Sequence, residues 1–305
     1  MKYKQWLAEW LENYIVTTAK PKTIDRYTDI VYKHIIPQLG EYELSELNLI
    51  VLQHFVTYLM QGGNLKTKNG LAASTINVII TVIQNSLKTA RAVGLLDNYF
   101  ADGIKRPKSE AKAVTCFNVQ EQKKIVAYIL TNKKYKLYGI VINFFTGLRI
   151  GELLALSWDD VDLKSLTIRI DKTCHDTKKG RVINAPKTNS SKRLIPFSKQ
   201  LLPIFRELKN NQSKYIVVQK DGIPISVRSY QRSFELLLKR LNIPHKGFHS
   251  IRHTFATRAL ELGMDVKTLS EILGHKNAIV TLNRYVHSLM EHKSEMMNRI
   301  GKLLQ

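Results

Sequence analysis

The chain has 305 residues, of which 44% are hydrophobic and 24% charged, an ordinary globular composition that excludes disordered, collagen-like and disulfide-dense classes. At roughly 150 residues per domain it divides into about two domains. Its 47 Lys and Arg against 25 Asp and Glu leave a net charge of +22, so the first expectation is a polyanionic partner. The excess is uneven: residues 1–100 hold 10 basic and 8 acidic residues, residues 101–305 hold 37 and 17.

No run of about 18 apolar residues is present, which excludes a membrane-spanning helix of that kind. The start, Met1 to Trp10, interleaves charges with apolar residues and lacks the form of a signal peptide, so a cytoplasmic location is expected. Cys116 and Cys174 are far apart and belong to no CxxC, consistent with buried or partly buried thiols rather than a disulfide or a cysteine zinc site.

In chain order, Trp6, Trp10 and Tyr14, then Ile24, Tyr27, Val31 and Ile35, recur at helical spacing. Further helices are predicted over about 48–61 and 74–93, the last with Ser74 as N-cap and Gly94 as the left-handed residue that closes it. Between them, residues 62–70 (GGNLKTKNG) form a flexible basic loop suited either to solvent or to a phosphate backbone. Residues 1–97 thus make a helical first domain. Residues 98–117 lack helical periodicity, contain Gly103 and Pro107, carry Lys105, Arg106 and Lys108, and read as a basic linker.

The second domain, 118–305, opens with Asn118 and Glu121 at capping-box spacing, predicting a helix to about 131 and another over about 135–145. Residues 166–170, 182–184 and 193–195 read as short strands, the latter two joined through a turn at Asn189–Ser191. From Ser198 onward the pattern is helical, with an apolar stripe of Phe234, Leu237, Leu238 and Leu241 ended by Pro244. The fold class is therefore mainly α, with one small antiparallel sheet in the second domain.

Five segments of the second domain carry candidate chemistry. In Thr146–Leu156 (TGLRIGELLAL), Ile150, Leu153 and Leu154 make a core stripe, and Arg149 stands outside it at a helix start, where an anion is favoured; taken alone, a surface pair with Glu152 is the favoured reading. Lys187, in PKTNSSKR, lies on a charged turn at the tip of the proposed hairpin, where a lysine reaches a phosphate or a leaving oxygen. In FHSIRHTFAT, His249 and Arg252 share one helix face and Ile251 and Phe255 the buried one; His249 and His253 also have zinc-ligand spacing, but without the glutamate of HExxH. His275 follows Gly274 past a helix end, and Tyr285 ends TLNRY. Two arginines, a lysine and two histidines can neutralise and protonate a pentacoordinate phosphorane that a tyrosine hydroxyl attacks, with no metal.

In order and wording, TGLRIGELLAL, HSIRHTFAT and LGHKNAIVTLNRYVH, supported by PKTNSSKR, resemble the tyrosine recombinases of the phage and conjugative-element integrase type. The resemblance implies a helical, SAM-like core-binding domain and a mixed α/β catalytic domain that together clamp DNA. It implies that Arg149 and Arg252 hold the scissile phosphate, His249 assists deprotonation, Lys187 protonates the departing 5′ oxygen, His275 supports the phosphate and Tyr285 attacks, leaving a 3′-phosphotyrosine, with no cofactor, metal or ATP. It further implies double-stranded DNA sites as partners, a homo-tetramer passing through a Holliday junction and an accessory directionality factor. Residues 288–305 read as a terminal helix whose Leu289, Met296, Met297, Ile300, Leu303 and Leu304 form an apolar face that either docks on a neighbouring protomer, as the resemblance implies, or packs on its own domain. Many such integrases carry a further N-terminal domain for arm-type sites, whereas this sequence starts in the core-binding helices. Lys66, Lys68, Lys88 and Arg91, grouped around one loop and helix, and Lys105, Arg106 and Lys108 in the linker are expected to grip the DNA backbone.

Overall fold

A computed structural model of the chain describes residues 1–108, 115–177, 180–184, 192–210, 213–219, 222–274, 297–298 and 300–302. It divides into two compact units, Met1–Lys112 and Ala113–Gln305.

The first unit is all helical. Helix α1 (Tyr3–Trp10) continues through a π-helical turn (Leu11–Ile15) into α2 (Val16–Thr18); α3 (Pro21–Ile30) continues through a second π turn (Val31–Ile35) into α4 (Ile36–Leu39). Tyr3, Trp6, Leu7 and Trp10 are buried. The wider π turn rotates the residues after Trp10 away from the core stripe, so Tyr14, expected on that stripe, is 36% exposed and packs its ring against Trp6 at 5.9 Å. The long helices α5 (Leu49–Gly62) and α6 (Ala73–Ala92) close the core with Leu52, Phe55, Val56 and Leu59 against Ile76, Ile79, Ile80, Ile83 and Leu87.

The polar ends of the buried aromatics find partners on α6. Tyr3 Oη lies 2.7 Å from Ser86 Oγ, Trp6 Nε1 donates to the Ser86 carbonyl and Trp10 Nε1 to Thr89 Oγ1. Helix α5 is capped by Asn48, whose side chain accepts from Val51 N–H. Helix α6 begins one residue before the expected Ser74 cap: Ala72 occupies that position without a side-chain bond, while Gly94 closes the far end with φ +80° as expected.

Two expectations for this unit are corrected. Residues 62–70 are not a loose loop: the Asn64 side chain accepts from Lys66 and Thr67 N–H, Lys68 takes a left-handed φ of +59°, and Leu71 N–H bonds the Leu59 carbonyl. Nor is 98–108 a free linker. Ala101 and Ile104 are buried in the first core, Asn77 donates to the Pro107 carbonyl, Gln53 accepts from Lys105 N–H, and the Arg106 guanidinium donates to the Asn77 carbonyl, Thr81 and Gln84. Two apolar anchors and these bonds make a strap across α5 and α6. Residues 109–114 lie outside the described residues.

The second unit begins with residues 115–117 laid along a later helix: Phe117 is fully buried, and its N–H donates to Thr254 Oγ1. Helix α7 (Val119–Thr131) starts at the Asn118/Glu121 capping box. A 3-10 turn (Tyr135–Leu137) leads into α8 (Tyr138–Thr146), apolar nearly all round and buried as such a helix must be. Gly147 in the left-handed region ends α8, and α9 (Ile150–Ala155) follows at once.

Five short strands come next: β1 (Val161–Asp162), β2 (Thr167–Ile170), β3 (Thr173–Thr177), β4 (Gly180–Asn184) and β5 (Arg193–Pro196). They form two antiparallel sheets in place of the one expected, ordered β1-β2-β5 and β3-β4. The proposed hairpin of 182–184 with 193–195 does not exist: Val182 pairs with His175 in β3, and Leu194 with Arg169 in β2. Residues 185–191, with the expected turn and Lys187, lie outside the described residues. Helices α10 (Leu202–Lys209), α11 (Val227–Arg240), α12 (His249–Glu261) and α13 (Val266–Leu273) complete the unit. Helix α12 packs on α8, and α11 buries Phe234, Leu237 and Leu238 as its stripe predicts. Of the expected C-terminal helix only residues 297–298 and 300–302 are described; they are helical, with Met297 and Ile300 exposed, while Leu289, Met296, Leu303 and Leu304 lie outside the described residues.

Candidate active site

The site grows out of two glycine-terminated helices. Gly147 ends α8 with φ +62°, a conformation that turns the chain within two residues so that Arg149 becomes the N-cap of α9. A methyl group there would lie 2.4 Å from Phe255 Cδ1, so both the backbone and the space demand glycine. Gly274, with φ +65°, ends α13 in the same way. The carbonyls of the two glycines are acceptors for Arg149 and Arg252.

Arg149 is partly exposed and donates three hydrogen bonds among the described residues. Its N–H donates to Glu152 Oε2 (3.0 Å), Nη1 to Glu152 Oε1 (2.8 Å) and Nη2 to the Gly274 carbonyl (2.9 Å). The surface pair that this spacing suggests does form, but Glu152 is only 4% exposed and so is not a solvated partner. Arg252, on α12, is 1% exposed. Its Nη1 donates to the Gly147 carbonyl (2.9 Å) and Nη2 to the Leu273 carbonyl (2.6 Å). Arg149 and Arg252, 103 residues apart in sequence, thus meet on neighbouring carbonyls at the end of α13.

His249 opens α12 one turn before Arg252 and is exposed. Its ring meets that of His253 edge to face, centroids 4.5 Å apart. The expected buried face of α12 is shifted: Ile251, Thr254 and Ala256 are buried, and Phe255 only partly. Among the described residues no group of three His, Cys, Asp or Glu side chains converges. Lys187, His275 and Tyr285 lie outside the described residues. In the chain, His275 follows directly on Gly274.

Sequence reading missed Arg193. It begins β5, is 7% exposed in its side chain, and grips Glu152 with both Nη atoms (3.2 and 2.9 Å). Burial pushes the Glu152 carboxyl up, but the Arg193 hydrogen bonds and charge, then the charge and N–H of Arg149, outweigh it and hold the carboxyl down to about 2. The only sequence signal was an arginine beside Lys192 in SKR, indistinguishable there from a solvated charge.

The basic residues expected to hold DNA are placed as follows. Lys66 and Lys68 are exposed on the turn after α5, and Lys88 and Arg91 on the last turns of α6. They do not form one cluster: at 1.5 Å per residue, Lys88 stands about 22 Å along α6 from its start. Lys105 and Lys108 are exposed on the strap, and Arg106 is engaged in holding it. No described helix is long and apolar enough to cross a membrane.

A family model for the phage integrase family matches residues 116–292. The chain belongs to the phage integrase family. A second model, for the SAM-like N-terminal domain of phage integrases, matches residues 2–60. A tyrosine recombinase XerC-like protein of Caldanaerobacter subterraneus is 28% identical, over 96% of this chain and 81% of that protein. Among solved structures, the Tn1549 transposon integrase in complex with transposon right end DNA superposes with a TM-score of 0.82 at 24% identity, covering 99% of this chain and 100% of that one. A lambda integrase tetramer bound to a Holliday junction superposes at 0.69 with 18% identity, covering 91% and 78%. These two likenesses carry the fold: a mainly helical tyrosine-recombinase architecture with small antiparallel sheets. In activity, this phage integrase family member is a tyrosine-type site-specific recombinase.

Proposed function

We propose that the chain cleaves and rejoins double-stranded DNA at specific sites through Tyr285. In this reading the Tyr285 hydroxyl oxygen attacks the scissile phosphorus, the bond to the 5′ oxygen breaks, and a 3′-phosphotyrosine and a free 5′ hydroxyl result. Arg149 and Arg252 neutralise the charge that grows on the non-bridging oxygens, His249 takes part in removing the tyrosine proton, Lys187 gives a proton to the 5′ oxygen, and His275 supports the phosphate. A 5′ hydroxyl from a partner duplex then attacks the phosphotyrosine, restoring the tyrosine and a phosphodiester. Each step exchanges one ester for another, so the reaction balances without ATP, a metal or a redox cofactor.

The observation that supports this most is the meeting of Arg149 and Arg252 on the carbonyls of Gly274 and Leu273, immediately before His275 in the chain. Two guanidiniums drawn to one point from helices far apart in sequence make a site for a doubly contacted anion. The lambda integrase tetramer on a Holliday junction supports a homo-tetramer on paired sites as the working assembly. The Tn1549 complex supports DNA as the partner; in this reading Lys66, Lys68, Lys88, Arg91, Lys105 and Lys108 lie on its phosphates, and Arg106 holds the strap that carries Lys105 and Lys108. A directionality factor and action on bacterial or phage DNA in the cytoplasm complete the reading.

The test is covalent capture. The chain and its Tyr285→Phe variant are expressed in cells, DNA is isolated under denaturing conditions, and the DNA that stays attached to protein is sequenced. Adducts in the parent alone, concentrated at one sequence, are expected; adducts in both would remove Tyr285 as the nucleophile.

A further inference from the structure

Helix α13 ends in three consecutive carbonyls, and each accepts from a different arginine. Ile272 accepts from Arg193 Nε (2.6 Å), Leu273 from Arg252 Nη2 (2.6 Å) and Gly274 from Arg149 Nη2 (2.9 Å). The last carbonyls of a helix lack intrahelical partners and carry the negative end of its dipole, so cations belong there. Three guanidiniums from β5, α12 and the start of α9 are more than capping requires.

Arg193 differs from Arg149 and Arg252 in placing both Nη atoms on a carboxylate. Nε is on Ile272, and both Nη atoms are on Glu152, which in turn holds Arg149 through its side chain and its N–H. Its side chain is 7% exposed against 38% for Arg149. The approach is built in: a methyl group at Gly274 would lie 2.8 Å from Arg193 Nη1. One guanidinium therefore touches the end of α13 directly and Arg149 through a single buried carboxylate.

We propose that Arg193 is a positioning residue that locks Arg149, through Glu152, to the end of α13, so that the arginine clamp and the last turn of that helix share one register. The proposal rests on the recombinase reading of the site. A planar guanidinium fork aims separate donors at the two carboxylate oxygens and at the carbonyl; a lysine ammonium is a compact point charge that does not reproduce that fixed geometry. Loosening this register displaces the clamp relative to the nucleophile, and a displacement near 1 Å costs about 100-fold in rate.

The experiment uses the full chain carrying Arg193→Lys or Arg193→Met and the DNA site recovered by covalent capture. Filter binding gives the affinity; single-turnover capture gives both the rate constant and the final amount of adduct. Expected is a fall of about 100-fold in the rate constant for both variants, with affinity and final amount unchanged. A merely structural role would lower the final amount, or abolish cooperative unfolding in both variants, and keep the rate constant of whatever folds; that result overturns the proposal. So does a loss of affinity equal to the loss of rate, which would make Arg193 a DNA contact. Parental rates in both variants overturn this proposal alone, whereas no adduct in the parent overturns the recombinase reading beneath it.

Discussion

Replacing Glu152 by Gln removes one oxygen's charge from the most connected buried group of the site. The carboxylate accepts four hydrogen bonds, two from Arg149 and two from Arg193, and glutamine offers one acceptor oxygen and turns an NH2 toward a guanidinium. A carboxyl held at about 2 against an ordinary 4.5 corresponds to about 3 kcal/mol of stability at neutral pH, and breaking one side of a buried ion pair costs about 3–5 kcal/mol. Because the folded-state value is the depressed one, this stability is fully present above about 4.5 and is lost as pH falls toward about 2. Hydrogen exchange of the Leu153 and Ile251 amides, both in the same core, measures it. Glu152→Gln should lower their protection by about 3 kcal/mol at pH 6, and the difference from the parent should shrink steadily below pH 4.5. A difference under about 1 kcal/mol, or one that does not change between pH 6 and pH 3.5, would refute the argument.

Other outcomes follow from single contacts. Asn118→Ala removes the side chain that accepts from Glu121 N–H and should cost about 1 kcal/mol, a fall of about 2–4 °C in the melting point of the second unit, with Asn118→Asp close to the parent. Gly147→Ala forces a methyl group to 2.4 Å from Phe255 at a φ of +62° and should destabilise by about 2–4 kcal/mol in urea unfolding; a change within about 0.5 kcal/mol would contradict the close approach. Lys88→Ala with Arg91→Ala should reduce the slope of log affinity against log salt by about 1.8, at about 0.9 per phosphate contact; an unchanged slope would remove both residues from the DNA surface.

The legible parts of this fold are those that neighbouring residues decide among themselves. The Asn118/Glu121 box, the Gly94 terminus and the Phe234–Leu241 stripe depend on spacings of a few residues, and each forms as read. Strand β3 was not legible, because Thr173–Thr177 (TCHDT) has no alternating apolar pattern. Its place comes from α9 above it, where Gly151 admits the Cys174 carbonyl at a distance no side chain would tolerate. Losing β3 left β4 with β5 as the nearest apolar strand, hence the mistaken hairpin. The strap at 98–108 looked like a linker because its anchoring lies in two apolar residues, Ala101 and Ile104, and in bonds to α5 and α6 that no local pattern encodes. Residue types and motifs singled out Arg149, His249 and Arg252 as candidates; that Arg149 and Arg252 reach neighbouring carbonyls of one helix end needed the fold. Arg193 was not singled out, since its meaning depends on a carboxylate 41 residues away.

The most direct test of the account is the chemistry of the covalent link. Captured adducts are digested with protease and nuclease, the nucleotidyl-peptide is sequenced by mass spectrometry, and the released DNA end is offered to a polynucleotide kinase. The account predicts a nucleotide joined through its 3′ phosphate to Tyr285, with a free 5′ hydroxyl that the kinase labels without prior phosphatase treatment. A link at another residue, or a broken strand ending in a 5′ phosphate, would contradict it.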